Sequence, residues 1–340
     1  MRDGKALLIA SRPFAKEILW KSWWHLGSTT ALWILTLAAI YWLPWQFGLP
    51  LSLLAGLLMV RLFVIFHDHM HGAILRRSVM GGTLLRLYGY LTLNPPHRWK
   101  DSHDDHHQNN CRTFGAAMGS FPVLTVEQYA QANWWQRLGY RIVRNPLIIL
   151  CGYITGFVWN MTVLPLLTSP RNNGQCALAL VFHACVYVGL AFLSWKLLLF
   201  GWILPLLVAG ALGTYLFYAQ HNFPGIKRYA AERWDYVLAA LQSSSCLKTN
   251  PLMHWFTANI GFHHVHHLNH KIPFYRLEEA MTHIPELQSP TTTSLRPKDI
   301  VGCLRLKLWD TDNERLVTFR QARRSEAFRA FEAGVRSQSA

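Results

Sequence analysis

The chain has 340 residues, 51% of them hydrophobic and only 15% charged, whereas soluble domains carry roughly 25% charged residues. This balance excludes a disordered polyelectrolyte and points to an integral membrane protein. The net charge of +15 comes with no basic run interleaved with a nucleic-acid motif, so it reads as loop bias and attraction to anionic lipid, with membrane lipids rather than nucleic acid as the partner.

Arg2, Lys5, Arg12, Lys16 and Lys21 precede an apolar run too long for a signal-peptide core, which predicts an uncleaved first span. No Lys, Arg, Asp or Glu lies between Lys21 and Arg61, and the Pro44 to Pro50 segment divides that stretch into a helical hairpin. The first span is placed at residues 27–45 and the second at 49–71. Trp23 and Trp24 lie about 20 residues, or ~30 Å of helix, from Trp42 and Trp45, as aromatic belts at two interfaces require. The second apolar run makes ~35 Å of helix, longer than a ~30 Å hydrocarbon core, so its end should project into the cytosol.

Residues 79–94 contain Arg86 and run into Pro95-Pro96, which predicts an interfacial segment. The uncharged stretch 145–168, with Pro146 and Pro165 in it and Pro170 just beyond, is also expected to be interfacial or re-entrant. Spans three and four are placed at 176–195 and 197–222, joined at Lys196. Of the 33 Lys and Arg, only Lys196 would then face the far side, so the positive-inside rule puts both termini in the cytoplasm of a bacterial inner membrane protein. The tail 286–340 is polar and basic, with an amphipathic helix expected from Glu314 to Val335. The whole of 1–340 reads as one domain, an all-α membrane protein of four transmembrane helices in two hairpins under a cytosolic helical cap. Its six cysteines show no CxxC spacing and are expected to be reduced.

Three histidine clusters carry the chemistry: HDHMH from His67 to His71, HDDHH from His103 to His107, and HHVHH from His263 to His267. The pairs at i, i+3 and i+4 put His67, His71, His103, His106, His107, His263, His266 and His267 on single helix faces. Imidazole is the commonest metal-binding side chain, and a tetrahedral zinc site uses only about four, so eight convergent imidazoles imply two metals. The parity of the spans puts all three clusters on the cytoplasmic side, where His221, at the end of span four, becomes a ninth candidate. Asp68 and Asp104 sit between box histidines and are expected to accept N–H bonds from ligand rings. His69 and His264 lie off the main faces, and His25, His97, His183, His254, His270 and His283 lack matching spacing.

At these boxes the chain resembles the membrane fatty acid desaturase family. The likeness covers roughly residues 45 to 285, extending to WKDSHDDHH, LTVEQY and WFTANIGFHHVHHLNHKIPFYRL. It implies that the eight box histidines bind two iron ions, and His221, in FYAQHNF, looks like the family's additional histidine. In stearoyl-CoA-type members an Asn four positions before that histidine helps to hold one iron through water; here the position is Phe217. The resemblance implies oxygen-dependent removal of two hydrogens from a fatty acyl chain carried on lipid, CoA or acyl carrier protein. Oxidising an unactivated methylene needs power that side chains lack and a cofactor supplies. With no dinucleotide or haem motif in the chain, electrons must come from an external ferredoxin- or cytochrome-type donor, for which Lys227, Arg228 and Lys248 offer a basic surface. A hydroxylase, ketolase or other monooxygenase on the same scaffold is the nearest alternative reading. A zinc-dependent membrane hydrolase is a second, and a metal transporter, whose ligands should lie within the spans, a third.

Overall fold

The computed structural model describes residues 2–113, 120–326 and 328–329. Among these the chain is mostly helical, and three helices are long and apolar enough to cross a membrane: Trp45–Met70, Gly174–Leu193 and Leu197–Ala219. The helix Leu19–Trp42, with 24 residues or about 36 Å, is long enough but less apolar, because His25, Ser28, Thr29 and Thr30 occupy its first half. It lies along Gly48–Met70, which packs on its other side against Leu204–Ala219. Lys196 Nζ donates to the carbonyls of Tyr41 (2.6 Å) and Leu43 (3.0 Å), placing a cation on the C-terminal end of the first long helix. The link between the two later helices therefore sits beside the end of the first. Trp20 and Trp24 are exposed at one end of that helix, Trp42 and Trp45 at the other, and Leu35, Leu53, Val181 and Phe192 add exposed apolar surface of the kind a bilayer covers.

The proline-punctuated stretch folds as Pro146–Leu150, a wide-turn helix Tyr153–Val163 and a last turn Leu164–Thr168. Its apolar helix Tyr153–Thr168 has 16 residues, at most about 24 Å, short of a ~30 Å core. Two glycines let it press into Leu204–Ala219: a Cβ on Gly210 would stand 2.6 Å from the Tyr153 backbone nitrogen, and one on Gly152 would collide with the Thr214 hydroxyl. Tyr153 in turn bonds through its hydroxyl to His183 Nε2 (2.5 Å), whose Nδ1 meets the Leu91 carbonyl (2.8 Å), so the histidine of Gly174–Leu193 is a packing residue.

Ser78 caps Val79–Leu91 by accepting from the Gly81 amide, and Pro96 opens Pro96–Gln108, where its missing N–H costs nothing. Leu75, Cys111, Ala258 and Asn259 adopt left-handed backbone, with φ between 44° and 55°. Each lies a few residues from a histidine box, where the chain must turn sharply for the box helices to meet. Arg61, buried in the second long helix, donates from Nε to Thr29 Oγ1 (3.1 Å) and through its Nη atoms to the Trp255 carbonyl and His25, and lies over the Trp255 ring. It ties the helix bundle to the cap.

The cap departs from the all-α expectation. Cys246–Lys248 pairs in parallel with Thr292–Ser294, and Leu308–Asp310 pairs antiparallel with Arg315–Val317. The expected tail helix beginning at Glu314 is replaced there by this hairpin, because Leu316 and Val317 pack as strand residues and a capping box of Thr318 and Gln321 delays the helix to Phe319–Ala322. Residues from 330 onward, with Phe331 and Val335, lie outside the described residues. The Trp309 amide donates to Leu124 (2.9 Å), so the segment read as a tail is folded against the cap. All six cysteines are free.

Candidate metal centre

The end of Gly48–Met70 presents His67 and His71, Pro96–Gln108 presents His103, His106 and His107, and His263–Leu268 presents the third box. His221 follows the Leu204–Ala219 helix by two residues. The nine histidines separate into two groups: His67, His71, His103, His107 and His266, and His106, His221, His263 and His267. Within each group the ligand-capable nitrogens lie within 4.8 Å of one another, and among the described residues neither group contains a carboxylate or thiol. The groups abut, with the His107 and His267 rings stacked at 4.2 Å.

The Nε2 atoms converge closely. In the first group His67–His103 is 3.0 Å, His103–His107 3.2 Å and His107–His266 3.0 Å; in the second His106–His221 is 3.1 Å, His221–His263 2.8 Å and His263–His267 3.1 Å. With metal–nitrogen bonds of about 2.1 Å, ligand nitrogens at right angles stand about 3.0 Å apart, and at the tetrahedral angle about 3.4 Å. The observed spacings match the right-angle value. The buried Nε2 of His71 has no hydrogen-bond partner among the described residues, as expected of a nitrogen whose partner is an ion.

Hydrogen bonds at the opposite ring atom select the metal-binding tautomer. His67 Nδ1 donates to Asp68 Oδ1 (2.9 Å), and Asp68 Oδ2 accepts the Phe274 amide (2.7 Å). His221 Nδ1 donates to the Ser243 carbonyl (3.0 Å), and His106 Nδ1 bonds to Ser120 Oγ (2.7 Å). The Nε2 lone pairs of His67 and His221 are thereby turned inward. Burial, followed by the neighbouring imidazoles, pushes His103, His106, His107, His263, His266 and His267 well below the ordinary imidazole range. All six are neutral at pH 7, as ligation requires.

Asp104 is a correction. It forms an ion pair with Lys100 one helical turn away on the partly exposed face, and no bond from a box histidine to it is present among the described residues. Adjacency alone does not separate it from Asp68, which also neighbours a box histidine: Asp68 is buried and held by the Phe274 amide, whereas Asp104 lies on a partly exposed face within reach of Lys100. Box spacing left out His270, whose ring lies 4.7 Å from His71 and 5.3 Å from His107, and it carried no signal of the Ser120, Ser243 and Phe274 contacts, which the packed chain creates. Trp99 stacks on His103 at 4.5 Å, whereas Trp255 covers Arg61. Phe217 packs 4.8 Å from His106 and 6.0 Å from His221. The remaining histidines have ordinary partners: His69 the Ile74 carbonyl, His264 the Leu287 carbonyl, His97 the Asp101 carboxylate and His283 the Glu279 carbonyl. His254 stacks on Phe262.

A family model described as fatty acid desaturase matches residues 43–295. The chain is 36% identical over 281 residues to a fatty acid desaturase of Bacillus subtilis (strain 168), covering 80% of this chain and 77% of the relative. Over 261 residues it is 28% identical to an sn-1 acyl-lipid omega-3 desaturase (ferredoxin) of Synechocystis, covering 71% and 68%, and over 264 residues 24% identical to an sn-1 oleoyl-lipid 12-desaturase from the same source, covering 74% and 72%. Three histidine boxes gathered into one buried cluster and the match across most of the chain agree: the protein belongs to the fatty acid desaturase family, a family of oxidoreductases.

Proposed function

We propose that the protein is an oxygen-dependent acyl desaturase whose nine histidines hold two iron ions, five imidazoles at one and four at the other. The observation that carries this reading is the partition of the histidines into two all-imidazole groups, each with its nitrogens within 4.8 Å of one another and three neighbouring pairs 2.8–3.2 Å apart. A five-imidazole set exceeds the about four ligands of tetrahedral zinc, which favours iron over the zinc hydrolase reading. Eight of the nine histidines lie outside the three candidate spans, and His67 sits in the last turn of one, which weighs against a transporter. Iron, when bound, supplies the redox capacity to activate oxygen against an unactivated methylene.

The chain's own residues fix the site. Asp68 and Ser243 hold rings in register, the three box helices and the end of Leu204–Ala219 aim nine imidazoles inward, and Phe217 closes the second group with an aromatic face instead of an amide. Conversion of CH2–CH2 to CH=CH releases two hydrogens; reducing one O2 to two waters takes these with two further electrons and two protons. Those electrons come from an external ferredoxin- or cytochrome-type donor; the Synechocystis omega-3 desaturase carries ferredoxin in its name. The substrate is a fatty acyl chain, with lipid, CoA and acyl carrier protein as its candidate carriers. We further propose that Leu19–Trp42 is the fourth span, forming the first of two hairpins. The single cation Lys196 at the far end supports a cytoplasmic site and termini in a bacterial inner membrane, with residues 1–340 as one domain.

Expression in a host lacking polyunsaturated lipids, followed by mass spectrometry, tests the activity. New double bonds that require oxygen are expected. Inserted oxygen would instead indicate a hydroxylase, and an unchanged lipid profile with zinc in the protein would overturn the reading.

A further inference from the structure

Beside the second histidine group lies a cavity of about 120 Å³ whose lining includes His106, His221 and three arginines, Arg112, Arg144 and Arg228. Arg144 is fully buried. Its Nη atoms donate to Asn222 Oδ1 (2.5 Å) and to the carbonyls of Leu306 (3.0 Å) and Pro122 (3.3 Å), and its buried Nε has no partner among the described residues. Arg228 donates from Nη2 to the Arg112 carbonyl (2.6 Å), Arg112 lies 4.6 Å over the Trp234 ring, and the buried Nε atoms of both have no partner among the described residues. A further buried cation, Lys307, donates to the Arg144 carbonyl.

None of these four cations forms an ion pair with a carboxylate among the described residues. The sequence between Thr113 and Ser120, FGAAMG, contains no acid. Buried charge without a counter-charge is costly, and guanidinium groups with free N–H edges suit the paired oxygens of carboxylate and phosphate. A cavity of this size accommodates a group of several heavy atoms. Phe121, Val123 and Phe217 add apolar groups to its lining.

We infer that this cavity binds an oxyanion, a carboxylate or phosphate group, between Arg112 and Arg228 with Arg144 behind them. If the anion is the head of the acyl substrate, the inference rests on the proposed function and seats that head beside His106 and His221. A free phosphate requires only the arginines.

The test uses full-length, metal-replete protein in neutral detergent, titrated by calorimetry with inorganic phosphate, acetate and hexanoate against chloride at matched ionic strength. One saturable site per chain is expected for phosphate or the carboxylates, with roughly tenfold or greater weakening in Arg228→Gln and partial retention in Arg228→Lys. Val123→Trp, which fills the cavity and leaves every arginine in place, should also abolish binding. Arg86→Gln, at an exposed position, should not. Hexanoate binding tighter than acetate assigns the site to an acyl carboxylate, and phosphate binding alone assigns it to a phosphate group. Absence of saturable binding for all three anions, or binding unaltered in both Arg228→Gln and Val123→Trp, overturns the inference. Lipid products measured with the same preparations separate the two conclusions: new double bonds without anion binding sink the pocket alone, and anion binding without lipid oxidation sinks the desaturase reading alone.

Discussion

Asp68 and Asp104 occupy similar places in their boxes, yet only Asp68 touches a ring. Asp68 bridges His67 Nδ1 and the Phe274 amide, so Asp68→Asn should weaken metal retention about 10- to 100-fold. Asp104→Asn, which breaks only a partly exposed pair with Lys100, should leave metal content unchanged. Elemental analysis of the two purified variants checks both, and similar losses would contradict the network. His221 belongs to the four-membered group, so His221→Ala should reduce iron from about two to about one per chain and remove most desaturation. His270→Ala should keep both ions, because His270 touches the rings of the first group without joining it. Full iron occupancy in His221→Ala would make that residue a packing histidine. At this scale box spacing nominated eight histidines, and the cytosolic end of the fourth apolar run nominated His221. Spacing could not distribute them: His106 and His107 are adjacent in sequence and fall into different groups, because successive helix residues diverge by about 100°.

Between elements, the tightest approach is that of the proline-punctuated segment to the Leu204–Ala219 helix. Gly210→Ala would set a methyl against the Tyr153 backbone and should cost about 1–3 kcal/mol through overpacking. Gly213→Ala, on the same helix but with open space around its Cβ, should be neutral or stabilising by up to about 1 kcal/mol. Thermal unfolding in detergent distinguishes them, and equal midpoints would mean that the two helices do not pack in this way. Helix positions were legible from charge-free runs and prolines, and Gly48–Met70 and Gly174–Leu193 follow them closely. The Arg315–Val317 strand was not, since three residues give no readable period and their pairing with Leu308–Asp310 is decided by packing on Leu124.

Across the whole molecule the buried imidazoles make stability depend on pH. Burial holds the six histidines on Pro96–Gln108 and His263–Leu268 well below their unfolded value, and holds His264 at about 4. The unfolded chain, with imidazoles near about 6.5, binds more protons than the folded chain once pH falls below that value. Their contribution is therefore complete above pH about 6.5 and is lost as pH falls toward about 4. The thermal midpoint of metal-free protein should drop between pH 7 and pH 5, with iron retention declining in the same range because protons compete for the ligands; a flat midpoint would mean that the rings are solvated. Membrane character, the histidine boxes and the family are legible in the linear chain, because hydropathy, charge placement and i, i+3 or i+4 spacing are local quantities. Which imidazoles share a group, that Asp68 and Ser243 orient them, and that three arginines meet beside His106 and His221 are settled by packing. The contacts of Asp68 with Phe274, His107 with His266, His106 with His221 and Arg228 with Arg112 each join residues more than a hundred positions apart, and nothing but the packed chain brings them within a few ångströms.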